Sequence, residues 1–135
     1  DSVLSIGFDS EGTACAAAVT TVTNSGTATT YPIFTASAPT GASAILSQLV
    51  NYTTGDEIYF NLTMLPQEVV TLDLRPGKKT FVSSIRGNII YTVIPGSNVA
   101  TWKLLPGSNK VSTYLTGGAG ATKLSWTERF WSIDN

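Results

Sequence analysis

Histidine is missing from the 135 residues altogether, and cysteine occurs once, at Cys15. Without imidazole there is no serine-hydrolase triad, no cysteine–histidine pair, no His-ligated zinc and no histidine acid–base step. A single thiol rules out an internal disulfide and any multi-thiolate metal site. Within Ala14-Cys15-Ala16-Ala17-Ala18 it reads as a small buried hydrophobe. Charge is also scarce. Only 13% of residues are charged, against about 25% in an average soluble protein, and the net charge of −1 gives no field to attract nucleic acid or an anionic membrane. No apolar run reaches the ~18 residues of a membrane-crossing helix. The chain opens on Asp1 with no basic-then-hydrophobic signal segment, which suggests an excised or processed piece of a longer protein. Gly117-Gly118-Ala119-Gly120 leads from one extended segment into another, so it has no helix N-terminus with which to hold a phosphate. No cofactor, metal or catalytic residue is expected.

Thr, Ser, Gly and Ala take the place of the missing charges, a composition suited to half-exposed strands. In Glu57–Met64 the set Ile58, Phe60, Leu62 and Met64 alternates onto one face. Val70, Leu72 and Leu74 do the same in the next segment, and Arg75-Pro76-Gly77-Lys78 then makes a turn, so residues 69–85 read as a hairpin. Further strands are expected over 16–23, 31–38, 88–94, 99–104, 110–116 and 121–131. Ala44–Val50 is ambiguous, because Ile45, Leu46 and Leu49 have helical spacing in a stretch too short to stand alone as a helix; it is assigned as a strand. Nine or ten short strands with turns every 8–12 residues predict an all-β, antiparallel sandwich or barrel. Residues 20–135 are expected to form that domain. Residues 1–19 are expected to be a first strand or the remnant of an upstream connection.

Little of this pattern carries chemistry. Glu57, Glu68, Asp73 and Glu128 lie on or beside predicted strands and leave a glycosidase-type carboxylate pair conceivable, but each is more simply a solvated strand residue. Arg75, Lys78, Lys79 and Arg86 form the one basic cluster, read either as a solvated hairpin tip or as a contact for an anionic partner. Few aromatics interleave with it, unlike the grooves that bind single-stranded nucleic acid. The triplets Asn51-Tyr52-Thr53 and Asn61-Leu62-Thr63 match the glycosylation sequon and are discounted without a secretory signal. Trp102 and Trp126 fall on apolar faces and are assigned to the core. Trp131, Tyr52 and Tyr59 are the candidates for an exposed, glycan-stacking surface.

The order of the turn motifs adds a further reading. Asn24-Ser25-Gly26 runs into Tyr31-Pro32-Ile33, followed by Asn51-Tyr52-Thr53-Thr54-Gly55-Asp56 and Val70-Thr71-Leu72-Asp73. Arg86-Gly87-Asn88 and Leu105-Pro106-Gly107-Ser108-Asn109 come next, and the chain closes on Leu124–Asp134. Over residues 20–134 this resembles the C-terminal domain of siphophage-type tail proteins, the distal tail protein family, which also occurs in prophages. The resemblance implies a jelly-roll or galectin-like β-sandwich attached to an N-terminal ring-forming domain, and a structural role at the tail tip. Its implied partners are other tail and baseplate proteins, with self-association through the upstream ring-forming domain that is missing here. The implied location is the virion tail, or the cytoplasm before assembly. It carries no catalytic machinery. The alternative use of such a sandwich is a carbohydrate-binding module for host-surface glycans.

Overall fold

The computed structural model describes residues 2–6, 18–116 and 121–126, with side chains placed for residues 21–115 and 122–126. Ten strands appear: β1 (Ser2–Ile6), β2 (Ala18–Asn24), β3 (Ile33–Ser37), β4 (Ala44–Asn51), β5 (Asp56–Met64), β6 (Val69–Asp73), β7 (Thr80–Ser83), β8 (Gly87–Asn88), β9 (Gly107–Thr116) and β10 (Ala121–Trp126). All pairings are antiparallel. One sheet has the order β1-β10-β3-β6-β7-β8, the other β2-β9-β4-β5. The expected antiparallel β-sandwich is what forms, and among the described residues the only helix is a single 3₁₀ turn at Ile90–Thr92.

Alternation in the sequence becomes a core between the sheets. Ile58, Phe60, Leu62 and Met64 of β5 face Phe34 of β3, Val70 and Leu72 of β6, and Phe81 of β7. Phe60 links the layers, its ring centroid 6.5 Å from Phe34 and 5.3 Å from Phe81. Burial of such faces is the main stabilising term. Trp102 is fully buried, and its indole N–H donates to the Leu49 carbonyl at 3.2 Å. Trp126 is buried too, as its position beside Leu124 predicts.

Ala44–Asn51 is a strand, and its helical-looking spacing has a cause. The register shifts between Leu46 and Gln48 against both β5 and β9. The inward set therefore runs Ala44, Leu46, Leu49 in place of a strict alternation.

Two expected strands are corrected. Residues 88–94 give the end of the two-residue β8, the 3₁₀ turn and a single bridge from Val93 to Phe60. Asn88 Oδ1 accepts from the Ile90 N–H, and the Thr92 hydroxyl donates back to the Ile89 carbonyl. Ile89 and Thr92 are the buried pair, a spacing of three that suits a 3₁₀ turn and not a pleat. Residues 99–104 form a turn in which the Asn98 carbonyl accepts from both Thr101 and Trp102, leaving one bridge, Thr30 to Leu104. Trp102 holds this segment by side-chain burial without a ladder. The turn expected at 106–109 is also shorter, since β9 already begins at Gly107.

Buried asparagines replace regular pairing at this end of the sandwich. Asn109 Nδ2 donates to the carbonyls of Leu105 (2.8 Å) and Gly107 (3.1 Å), while its Oδ1 accepts from the Leu105 N–H and Asn51 Nδ2. Asn51 also donates to the Lys103 carbonyl, and Asn24 to that of Ala28. These three side chains satisfy backbone groups that loops would otherwise leave unpaired. Asn51 is fully buried, so its sequon is closed to modification, whereas Asn61 is exposed on β5.

Candidate functional site

β5 is an edge of the four-stranded sheet, and β8 is an edge of the six-stranded one. Exposed edges invite unwanted pairing, and here the 93–98 segment caps the first half of β5. Asn98 N–H donates to the Glu57 carbonyl and Ile94 N–H to that of Tyr59, while Asn98 Oδ1 and Ser97 Oγ accept from the Glu57 and Tyr59 amides. The 3₁₀ turn packs against both β5 and β7, so it spans the gap between the sheets.

The second half of that side is clamped by Glu68. Its side chain is wholly buried in the turn between β5 and β6, where it accepts from the Leu65 N–H at 2.8 Å and from the Ser83 hydroxyl. Arg86 closes the clamp with two hydrogen bonds, Nη2 to Oε1 at 2.7 Å and Nε to Oε2 at 2.9 Å, and its Nη2 also reaches the Thr63 carbonyl. Burial alone would raise the Glu68 carboxyl. The hydrogen bonds from Arg86, Ser83 and Leu65 outweigh it and hold the group below the usual carboxylate range. The same contacts raise Arg86. One ion pair thus ties β5, the β5–β6 turn and the β7–β8 turn together. Gln67, a non-glycine residue at φ 67°, is held in that turn by donating its N–H to the Pro39 carbonyl.

Several large apolar side chains are exposed in the segments that follow β5 and β7. Leu65, Ile85, Ile90, Tyr91 and Ile94 are all exposed large hydrophobics, Tyr91 at 74% and Ile85 at 53%. Four of them lie in the short stretch from Ile85 to Ile94, and the fifth adjoins Glu68. The charge among them is neutralised, because Arg86 is spent on Glu68. A concentration of exposed large apolar side chains of this kind marks an interaction surface. The strand expected over 88–94 hides these exposed residues; the signal in the sequence is the run Ile89-Ile90-Tyr91, too apolar for a solvated loop.

The residues singled out from the sequence are spread over several places. Arg75 pairs with Asp73 at 2.7 Å on the surface, which keeps the Asp73 carboxyl low. Lys79 lies 5.1 Å from the Tyr31 ring centroid and donates to the Leu74 carbonyl, and its partial burial lowers its pKa. Lys78 is exposed beside them. Arg86 sits at the opposite end of the β6–β7 hairpin, so the four cations do not form one cluster. Of the carboxylates, Glu68 and Asp73 are each committed to an arginine, Glu57 is exposed on β5, and Glu128 lies outside the described residues. Tyr52, in the turn after β4, and Tyr59, on the outer face of β5, are exposed. Burial first, then the Glu57 carboxylate and Tyr52, push the Tyr59 phenol up from its ordinary value. Trp131 lies outside the described residues. Among the described residues no cluster of three acidic or thiol side chains could hold a metal, and no helix is long and apolar enough to cross a membrane.

Among known families, the model for the siphovirus-type tail component, C-terminal domain, aligns with residues 25–130. No curated protein and no solved structure matches.

Proposed function

The chain belongs to the siphovirus-type tail component family as its C-terminal domain, a structural component of a virion tail, and from that premise we propose that it is a docking module in tail assembly. The docking surface is the apolar patch of Leu65, Ile85, Ile90, Tyr91 and Ile94. The observation that carries this reading is the exposure of these five side chains over a rigid, charge-neutral clamp. The occupant is another tail or baseplate protein with an apolar complementary surface. A partner recognised by charge would need free ions here, and the Arg86 guanidinium is already paired. The basic residues Arg75, Lys79 and Arg86 act within the fold, by holding Asp73, the Leu74 carbonyl and Glu68, which leaves Lys78, of these four, to meet an anionic partner.

The test is co-expression of the tail protein that contains this domain with the products of neighbouring tail genes, followed by size-exclusion chromatography. A complex that forms with the natural chain and is lost with Ile85→Ser and Tyr91→Ser together, while the thermal melt stays unchanged, supports the reading. A complex that survives both substitutions overturns it.

A further inference from the structure

The strand edges of the two sheets are not protected alike. β5 is capped by the 93–98 segment, and β8 is only two residues long. β2 (Ala18–Asn24) is a seven-residue edge of the four-stranded sheet, and among the described residues no strand pairs with its other side. Its register with β9 runs unbroken from the Ala18–Thr113 pair to the Asn24–Gly107 pair, so no bulge bends it away. It holds no proline and no charge, and the sequence has no charged residue anywhere from Gly12 to Gly55. Prolines, lysines, bulges and covering segments are the devices that keep an edge from pairing. β2 carries none of the first three.

The ladder to β9 decides which backbone groups are left over. Lys110 lies opposite Thr21. Its N–H donates to the Thr53 hydroxyl and its carbonyl accepts from the Tyr52 N–H, both on the β4 side. Backbone groups alternate between the two sides of an antiparallel strand. Asn109 and Val111 therefore turn towards β2, where they oppose Val22 and Thr20. The N–H and C=O groups of residues 19, 21 and 23 are consequently directed to the open edge. The Thr21 and Thr23 side chains are exposed, and Val22 is fully buried on the inner face.

These groups match their own two-fold image. Turned antiparallel about Thr21, residue 21 meets residue 21 of the copy and residue 19 meets residue 23. Each such pair sets open N–H groups against open C=O groups, and the inner faces of both copies fall on one side of the joined sheet. A slip of one residue would put the inner face of one copy beside the outer face of the other. A threonine opposite a threonine is a favourable cross-strand pair. The two Lys110 side chains come no closer than three strand spacings, roughly 14 Å, which is beyond the screening length of about 8 Å. Two-fold closure also consumes both edges at once.

We infer that β2 is a self-pairing edge whose occupant is β2 of a second copy of this chain, antiparallel and centred on Thr21. It lies at the opposite edge of the sheet from β5 and stands independently of the docking patch.

The test is sedimentation velocity of the 135-residue chain from about 5 to 500 µM. A monomer–dimer equilibrium is expected with a Kd on the order of 100 µM, because about six backbone hydrogen bonds in so small an interface make a weak dimer. Thr21→Lys sets two ammonium groups against each other and should weaken the dimer tenfold or more. Thr21→Pro removes an N–H that the β9 ladder does not use, so it should abolish the dimer and leave the sheet intact. If that variant melts early, Thr21→Lys, at an exposed position, carries the test alone. Cysteine linkage reads the register, in a chain that also carries Cys15→Ala. Thr21→Cys should give a disulfide-linked dimer on mild oxidation, since paired Cα atoms about 5.5 Å apart suit a disulfide. Thr23→Cys should not, because its copies lie roughly 14 Å apart along the strands. A chain that stays monomeric to about 500 µM overturns the inference. So does a dimer that survives the Thr21 substitutions, or linkage through position 23 and not 21.

Discussion

Arg86 is the residue whose removal reports most directly on how the sandwich is held. Replacing it with alanine removes two hydrogen bonds to a carboxylate that is wholly buried, and a third to the Thr63 carbonyl. Hydrogen bonds to charged groups are worth roughly 1.5–3 kcal/mol each, not additively. Breaking a buried ion pair from one side costs about 3–5 kcal/mol. The Arg86 side chain is 32% exposed, so water enters part of the space it leaves and returns some solvation to Glu68. The expected loss is about 3 kcal/mol, discounted for that access. For a domain of this size it lowers Tm by roughly 10 °C. Urea titration of Arg86→Ala beside the natural chain gives the number directly. The pH dependence gives an independent check. In the natural chain Glu68 is held low, so its contribution is present above the ordinary glutamate value of about 4.3 and is lost as pH falls through its folded value. In Arg86→Ala burial is no longer outweighed, the Glu68 carboxyl rises, and protonation relieves the variant. The gap between the two proteins should therefore narrow on going from pH 7 to pH 4. A loss below about 1 kcal/mol, or a gap that widens with acid, would refute the reasoning.

Two further stability predictions follow from burial. Trp126→Ala should cost about 3–5 kcal/mol by chemical denaturation, since the side chain is buried on the inner face of β10; a loss below about 1 kcal/mol would mean that face is wrongly assigned. Asn109→Ala should cost about 3 kcal/mol, because it orphans the Leu105 amide and the Leu105 and Gly107 carbonyls at once. Hydrogen exchange should then show the 102–109 segment opening before the sheets, and uniform exchange across the domain would contradict the pinning role.

The Asn109 and Glu68 networks also say what kind of fold this is. Where strands pair, the backbone satisfies itself. Where the chain leaves the ladders, single buried side chains take over: Glu68 at the β5–β6 crossing, and Asn51 at the end of β4 with Asn109 near the start of β9, which hold the 103–107 segment. The six-stranded sheet places the last strand, β10, between β1 and β3, so residues near both ends of the chain lock each other in place. A docking module benefits from that rigidity, because a preorganised surface loses less entropy on binding.

The amino-acid sequence by itself determined the class of the protein and much of its core. The lack of histidine and the single cysteine decide which chemistry is closed to it. The alternations in β5 and β6 decide which side chains are inward, because period two is a local property of an extended chain. Trp126 was legible as core for the same reason, Trp102 only as a large apolar residue, and the shared order of turn motifs was legible as a family. Tertiary structure decided the rest. Residues 88–94 and 99–104 are apolar enough to look like strands, yet they are buried by single anchors such as Ile89 and Trp102 without ladders. Composition cannot distinguish burial in a sheet from burial beneath a turn. Glu68 and Arg86 meet across 18 residues, and it is the strand order that leaves β2 at an edge. Which strands become neighbours is a non-local choice, set by how two sheets can close over one core, and no periodicity within a single strand records it.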